Sequence, residues 1–133
     1  MAAPASPRLA LVILAVADLP RAVAFWSEAF GLRPTVQTPV YVELALEGGP
    51  RLGLYDRRGF GRNLGVEPAA PSPTAPQPTE LYFHCDDLDQ AIAQVQQAGG
   101  VLLSARALRD WGDEAAYFRD PDGNVVVVAR PAP

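Results

Sequence analysis

One short pattern occurs twice in the 133-residue chain, 69 residues apart, and this repeat limits the fold more than any other feature. An apolar run ends in Val16-Ala17-Asp18-Leu19 and is followed by Ala22-Val23, Trp26 and Gly31. Leu81-Tyr82-Phe83-His84-Cys85 then ends in Asp86-Asp87-Leu88 and is followed by Ala91-Ile92, Val95 and Gly100. The shift superimposes Asp18 on Asp87, Leu19 on Leu88, Val23 on Ile92, Trp26 on Val95 and Gly31 on Gly100. A duplicated unit is the simplest source of such a register.

Each copy reads as a strand followed by a helix. Asp18 and Asp87 are N-caps, and Gln90 completes a capping box with Asp87. Pro20 sits in the first turn of the first helix, where its missing N–H costs nothing. Val23, Trp26 and Phe30, and later Leu88, Ile92 and Val95, recur at helical spacing before the glycines that stop each helix. The period then changes to two. Residues 40–46 and 51–55 form a hairpin around Glu47-Gly48-Gly49-Pro50, and 114–119 and 125–129 flank the turn Asp120-Pro121-Asp122-Gly123-Asn124. Short strands after Pro34 and Gly100 complete two βαβββ modules, expected over 7–66 and 79–131. Between them, the segment 67–78 is so rich in proline that only an extended linker suits it.

The fold class is therefore α+β: two tandem βαβββ modules, each with a mixed sheet, together one domain. Bulk properties exclude several functions. The net charge of -4 disfavours binding to a phosphate backbone. Every basic residue is Arg, so Schiff-base and P-loop lysine chemistry is absent. The lone Cys85 permits no internal disulfide and fits a reduced, cytoplasmic setting. Leu9–Leu14 before Ala15-Val16-Ala17 imitates a signal peptide, but the repeat needs this segment as its first strand. No run reaches the length of a membrane span.

Three segments carry a family resemblance: 16–26 (Val-Ala-Asp-Leu-Pro-Arg-Ala-Val-Ala-Phe-Trp), Trp111-Gly112, and 117–124 (Tyr-Phe-Arg-Asp-Pro-Asp-Gly-Asn). With them the chain resembles the vicinal oxygen chelate superfamily of glyoxalases, dioxygenases and bleomycin- and fosfomycin-resistance proteins. The resemblance implies paired βαβββ modules around a shared cleft, often completed in a homodimer. It also implies a divalent metal held by four side chains, two from each module. Matched one by one, those positions are Leu11, Gly53, Glu80 and Val127. Only Glu80 has a donor atom, and zinc or a hard cation needs several. His84 shares a face with Glu80 but lies ~13 Å further along the strand, too far for both to reach one ion. No metal and no cofactor are therefore expected.

Pleat parity assigns the faces. Val12, Leu14, Val16, Leu81, Phe83 and Cys85 should face helices, which makes Cys85 an inert thiol and denies it a pairing with His84. Leu11, Ile13, Ala15, Gly53, Tyr55, Glu80, Tyr82, His84, Val125 and Val127 should face the cleft. The expected ligand contacts are Tyr55, Glu80, Tyr82, His84, Trp111, Leu11 and Val127: apolar walls, aromatic surfaces and two polar anchors, as small-molecule pockets require. Arg57 to Arg62 read as a mobile, solvated loop, with Phe60 packing on a partner or over the cleft. The favoured function is a metal-free binder that sequesters a bulky aromatic or cationic compound such as an antibiotic. The alternatives are a metal-dependent lyase, isomerase or dioxygenase of the same fold, and a dimeric scaffold with a vestigial cleft. The expected partners are a small molecule and a second copy of the chain, with neither nucleic acid nor membrane.

Overall fold

A computed structural model describes residues 5–72 and 74–133; residues 1–4 and Pro73 of the expected linker lie outside it. The first module runs β1 (Leu11–Val16), α1 (Leu19–Phe30), β2 (Pro34–Gln37), β3 (Tyr41–Leu44) and β4 (Arg51–Asp56). A short helix, α2 (Arg57–Leu64), follows it. The second runs β5 (Glu80–His84), α3 (Leu88–Gln97), β6 (Val101–Leu108), β7 (Asp113–Arg119) and β8 (Val125–Pro131). Each module forms one four-stranded mixed sheet, ordered β1-β4-β3-β2 and β5-β8-β7-β6. The first strand of each lies parallel to the last, and the remaining pairs are antiparallel.

Local chemistry sets the helix starts. Asp18 accepts the Arg21 N–H at 3.1 Å and Asp87 accepts the Gln90 N–H at 3.0 Å, so each cap satisfies an orphan donor. Gly31 ends α1 at φ 65°, a left-handed conformation that glycine adopts without strain. The buried stripes of the two helices then meet, because α1 packs on α3. Trp26 is fully buried there; Phe30 stacks on Phe83 with ring centroids 4.1 Å apart. Burial of each such side chain stabilises by roughly 1.5–3 kcal/mol. The same core takes in Leu14, Val16, Leu52 and Leu54 of the first sheet and Ala116, Phe118, Val126 and Val128 of the second. Leu81, Phe83 and Cys85 pack against it, as pleat parity requires.

The Asp120–Asn124 turn also joins the modules. Asp120 accepts the N–H groups of Asp122 and Asn124 at 2.9 and 2.7 Å and the Asn124 side-chain amide at 3.0 Å. Burial nevertheless pushes its carboxyl up to about 6, outweighing those donors. Asp122 reaches across to accept the Ala17 N–H at 2.8 Å, at the junction between β1 and α1.

One expectation fails. Residues 57–62 are not a loop but most of α2. Two glycines make a poor helix on propensity alone, and tertiary contact overrides it. A Cβ on Gly59 would sit 2.4 Å from the Tyr55 ring, and one on Gly61 would sit 2.8 Å from the Glu67 backbone. The glycines thus let the helix lie close against its own module. Phe60 meets Tyr55 edge to face at 6.4 Å, and Arg57 pairs with Glu67 at 3.3 Å. Among the described residues no helix is long and apolar enough to cross a membrane.

Candidate functional site

The second sheet carries a polar layer on the face turned away from the helices. Tyr82 and His84 project from β5, and Asp113 from the start of β7. The Tyr82 hydroxyl donates to Asp113 Oδ2 at 2.6 Å, and His84 Nε2 lies 3.1 Å from the same oxygen. Trp111, in the turn before β7, donates its indole N–H to the Tyr82 oxygen at 2.9 Å. The Tyr82 hydroxyl hydrogen bond, followed by that of His84, holds the Asp113 carboxyl below the usual range. Burial, then the bond to Asp113, pushes the Tyr82 phenol up. Both hydrogen bonds land on Oδ2. Beneath this layer Ala115, Val127 and Ala129 are fully buried.

Arg109 borders the layer. Its Nη2 donates to Ser104 Oγ at 3.1 Å and to the carbonyls of Ala105 and Ala115 at 2.9 Å each, with the guanidinium 4.8 Å from the Tyr117 ring centre. Those bonds pin the irregular part of β6, where the register with β7 shifts. Cys85 is half-buried, its Sγ 3.5 Å from the Ala129 carbonyl, and burial pushes its thiol up; this is a structural cysteine.

The equivalent face of the first sheet is built differently. Gly53 on β4 stands between Ile13 on β1 and Glu43 on β3. A Cβ on Gly53 would fall 2.6 Å from the Tyr41 hydroxyl and 2.9 Å from the Ile13 side chain, so the Tyr41 side chain occupies the space a residue at 53 would need. The Tyr41 hydroxyl donates to Glu43 Oε2 at 2.8 Å, and Arg51 Nη1 lies 2.8 Å from Oε1 as an ion contact off the hydrogen-bond direction. Burial, then Glu43, pushes the Tyr41 phenol up to about 12. Tyr55 meets Tyr41 edge to face at 5.3 Å.

The expected ligand residues thus separate. Tyr82, His84 and Trp111 form one cluster, with Glu80 at the start of the same strand. Val127 lies under that cluster as floor rather than wall. Leu11 and Tyr55 belong to the other sheet. Three residues escaped the sequence reading: Asp113, Tyr41 and Glu43. The spacing of Tyr41 and Glu43 on one strand face was a usable signal, whereas Asp113 meets Tyr82 from 31 residues away.

The four positions do not fit a divalent metal. Tyr41 fills the space at Gly53, Val127 is a buried alkyl group, and Leu11 has no donor. Among the described residues no three His, Cys, Asp or Glu side chains converge as a ligand set.

The model of the Glyoxalase/Bleomycin resistance protein/Dioxygenase superfamily matches residues 8–128. No curated protein matches the chain. Among solved structures, a glyoxalase-related enzyme from Fulvimarina pelagi superimposes with a TM-score of 0.81 at 22% identity, covering 92% of this chain and 87% of its own. A glyoxalase/bleomycin resistance protein/dioxygenase family enzyme from Burkholderia phytofirmans gives 0.79 at 19% identity, with 95% and 100% covered. Hypothetical protein SA1046 from S. aureus gives 0.78 at 19% identity, with 96% and 95% covered. At these identities the likeness is one of fold.

Proposed function

The chain belongs to the Glyoxalase/Bleomycin resistance protein/Dioxygenase superfamily, and we propose that within it the protein is a small-molecule binder that needs no metal. Its ligand is a flat, cationic compound of antibiotic type, and it acts by sequestration in a cytoplasmic setting. The observation that carries this reading is the Asp113 carboxylate held ionised beside the Tyr82 and Trp111 rings, with Trp111 58% exposed. Aromatic faces take up flat rings and attract cations, and a carboxylate adds charge and a hydrogen-bond acceptor.

A second copy completes the site. β1 and β5 are edge strands. The bonds from Arg51 N to the Ala10 carbonyl and from Val125 N to the Thr79 carbonyl fix which backbone groups are spent inside each sheet. The N–H and C=O groups of Leu11, Ile13 and Ala15 on one edge, and of Glu80, Tyr82 and His84 on the other, therefore point outward. These same residues carry the cleft-side side chains. Pairing β1 of one copy with β5 of another would cover both edges and set the Tyr41 face against the Asp113 face.

Titration of wild type and Asp113→Asn with glycopeptide and planar cationic antibiotics tests the function. Wild type should bind at least one class, and the variant should bind it about tenfold more weakly, the scale of a hydrogen bond to a charged group. Failure to bind either class, with no protection of a sensitive host, would sink the proposal.

A further inference from the structure

The first sheet has no metal donor at residue 53, yet it is not featureless there. We infer that Tyr41, fixed by Glu43, is the polar anchor of that half of the cleft, and that it selects ligands bearing N–H donors such as ammonium or amidinium groups. The inference rests on the binding reading above and specifies its ligand.

Three observations lead to it. Gly53 leaves the space that the Tyr41 ring and hydroxyl occupy: a Cβ there would meet Oη at 2.6 Å and Cε1 at 2.8 Å. The hydroxyl proton is committed, because Tyr41 donates at 2.8 Å to Glu43, which is 6% exposed and paired with Arg51. Tyr41 itself is only half-buried, and it stands beside an Ile13 that is 37% exposed on the same face of the sheet.

A phenol whose proton is held by a carboxylate offers a visitor only its lone pairs. Donation to a charged acceptor also polarises the O–H bond, which makes the oxygen a better acceptor. A ligand carbonyl or carboxylate would meet that oxygen with lone pair against lone pair. A ligand N–H finds a matched acceptor with the Glu43 charge behind it. Glu43 adds a negative field without contacting the ligand, so it acts as a positioning residue. The opposite sheet offers the Asp113 carboxylate, which prefers the same chemistry.

Two probes separate charge from N–H donation. Benzamidine is a flat aromatic cation with N–H groups; phenyltrimethylammonium has the ring and the charge but no N–H. Wild type should bind benzamidine more tightly. Tyr41→Phe, which keeps the ring, should weaken benzamidine about tenfold and leave phenyltrimethylammonium unchanged. Glu43→Gln should weaken benzamidine less, and spectrophotometric titration should show its highest-titrating tyrosine moving down from about 12. Equal weakening of both probes by Tyr41→Phe would make Tyr41 a packing residue and overturn the inference, as would no weakening at all. Wild type that binds benzamidine no better than phenyltrimethylammonium would overturn it while leaving the binding reading intact. Binding of neither probe by protein that still binds an antibiotic would overturn the inference alone; binding of no probe and no antibiotic would overturn both.

Discussion

Gly53→Ala would add one methyl group to the first sheet, and the structure sets the scale of the damage. The new Cβ would lie 2.6 Å from Tyr41 Oη, 2.8 Å from Tyr41 Cε1 and 2.9 Å from Ile13 Cγ1. Real Cβ atoms do not approach so closely, so the Tyr41 ring must swing away. Its hydrogen bond to Glu43 breaks, leaving a carboxylate that is 6% exposed with only the off-axis Arg51 contact. A hydrogen bond to a charged group is worth about 1.5–3 kcal/mol. Replacing a strand glycine returns roughly 0.5–1 kcal/mol of backbone entropy. The net loss should be about 1–2 kcal/mol, which for a chain of this size lowers Tm by roughly 3–8 °C. Urea unfolding of the single variants and of Tyr41→Ala/Gly53→Ala measures it. In the double variant only the Ile13 contact remains to be relieved, so Gly53→Ala should cost less there than in wild type. Equal cost in both backgrounds would refute the claim that Gly53 exists to house Tyr41.

Asp122→Ala should destabilise by about 1–3 kcal/mol, because the Ala17 N–H loses its partner, while Asp122→Asn, which keeps an acceptor, should cost less; urea titration distinguishes them. The buried Asp120 makes stability depend on pH with a definite sign. Its carboxyl is raised to about 6 in the folded protein. The folded state therefore holds the proton more tightly than the unfolded chain, whose aspartates titrate near ~4. A penalty of about 3 kcal/mol is absent below pH ~4, grows between ~4 and ~6 and is complete above ~6. Unfolding free energy measured across that window should fall as pH rises, and Asp120→Asn should flatten the fall. Trp111 is 58% exposed and Trp26 fully buried. Acrylamide should therefore quench one fluorescent component in wild type and almost none in Trp111→Phe.

The repeat made the architecture legible because strand and helix periods leave marks that survive in a single chain. Asp18 and Asp87 fixed the helix starts, and the alternation along residues 11–16 and 80–84 sorted core from cleft side chains. The Arg-rich segment misled because its helix depends on glycines pressed against Tyr55 and Glu67, a tertiary effect with no local periodicity. Asp113 escaped notice for a related reason. Its partners are distant in sequence, and it lies opposite Pro131, one residue before the strand that the alternation marked out. Gly53 was visible as a missing donor, but the ring that replaces it was not.

Metal independence is the central claim, and a titration with and without chelator tests it most directly. Benzamidine would be titrated into protein purified without chelator, then into the same protein after EDTA treatment and desalting. Identical affinities are predicted, because Asp113, Tyr82, Trp111 and Tyr41 need no ion to present their acceptors and rings. Loss of binding on chelation, restored by stoichiometric zinc, nickel, iron or manganese, would contradict the account.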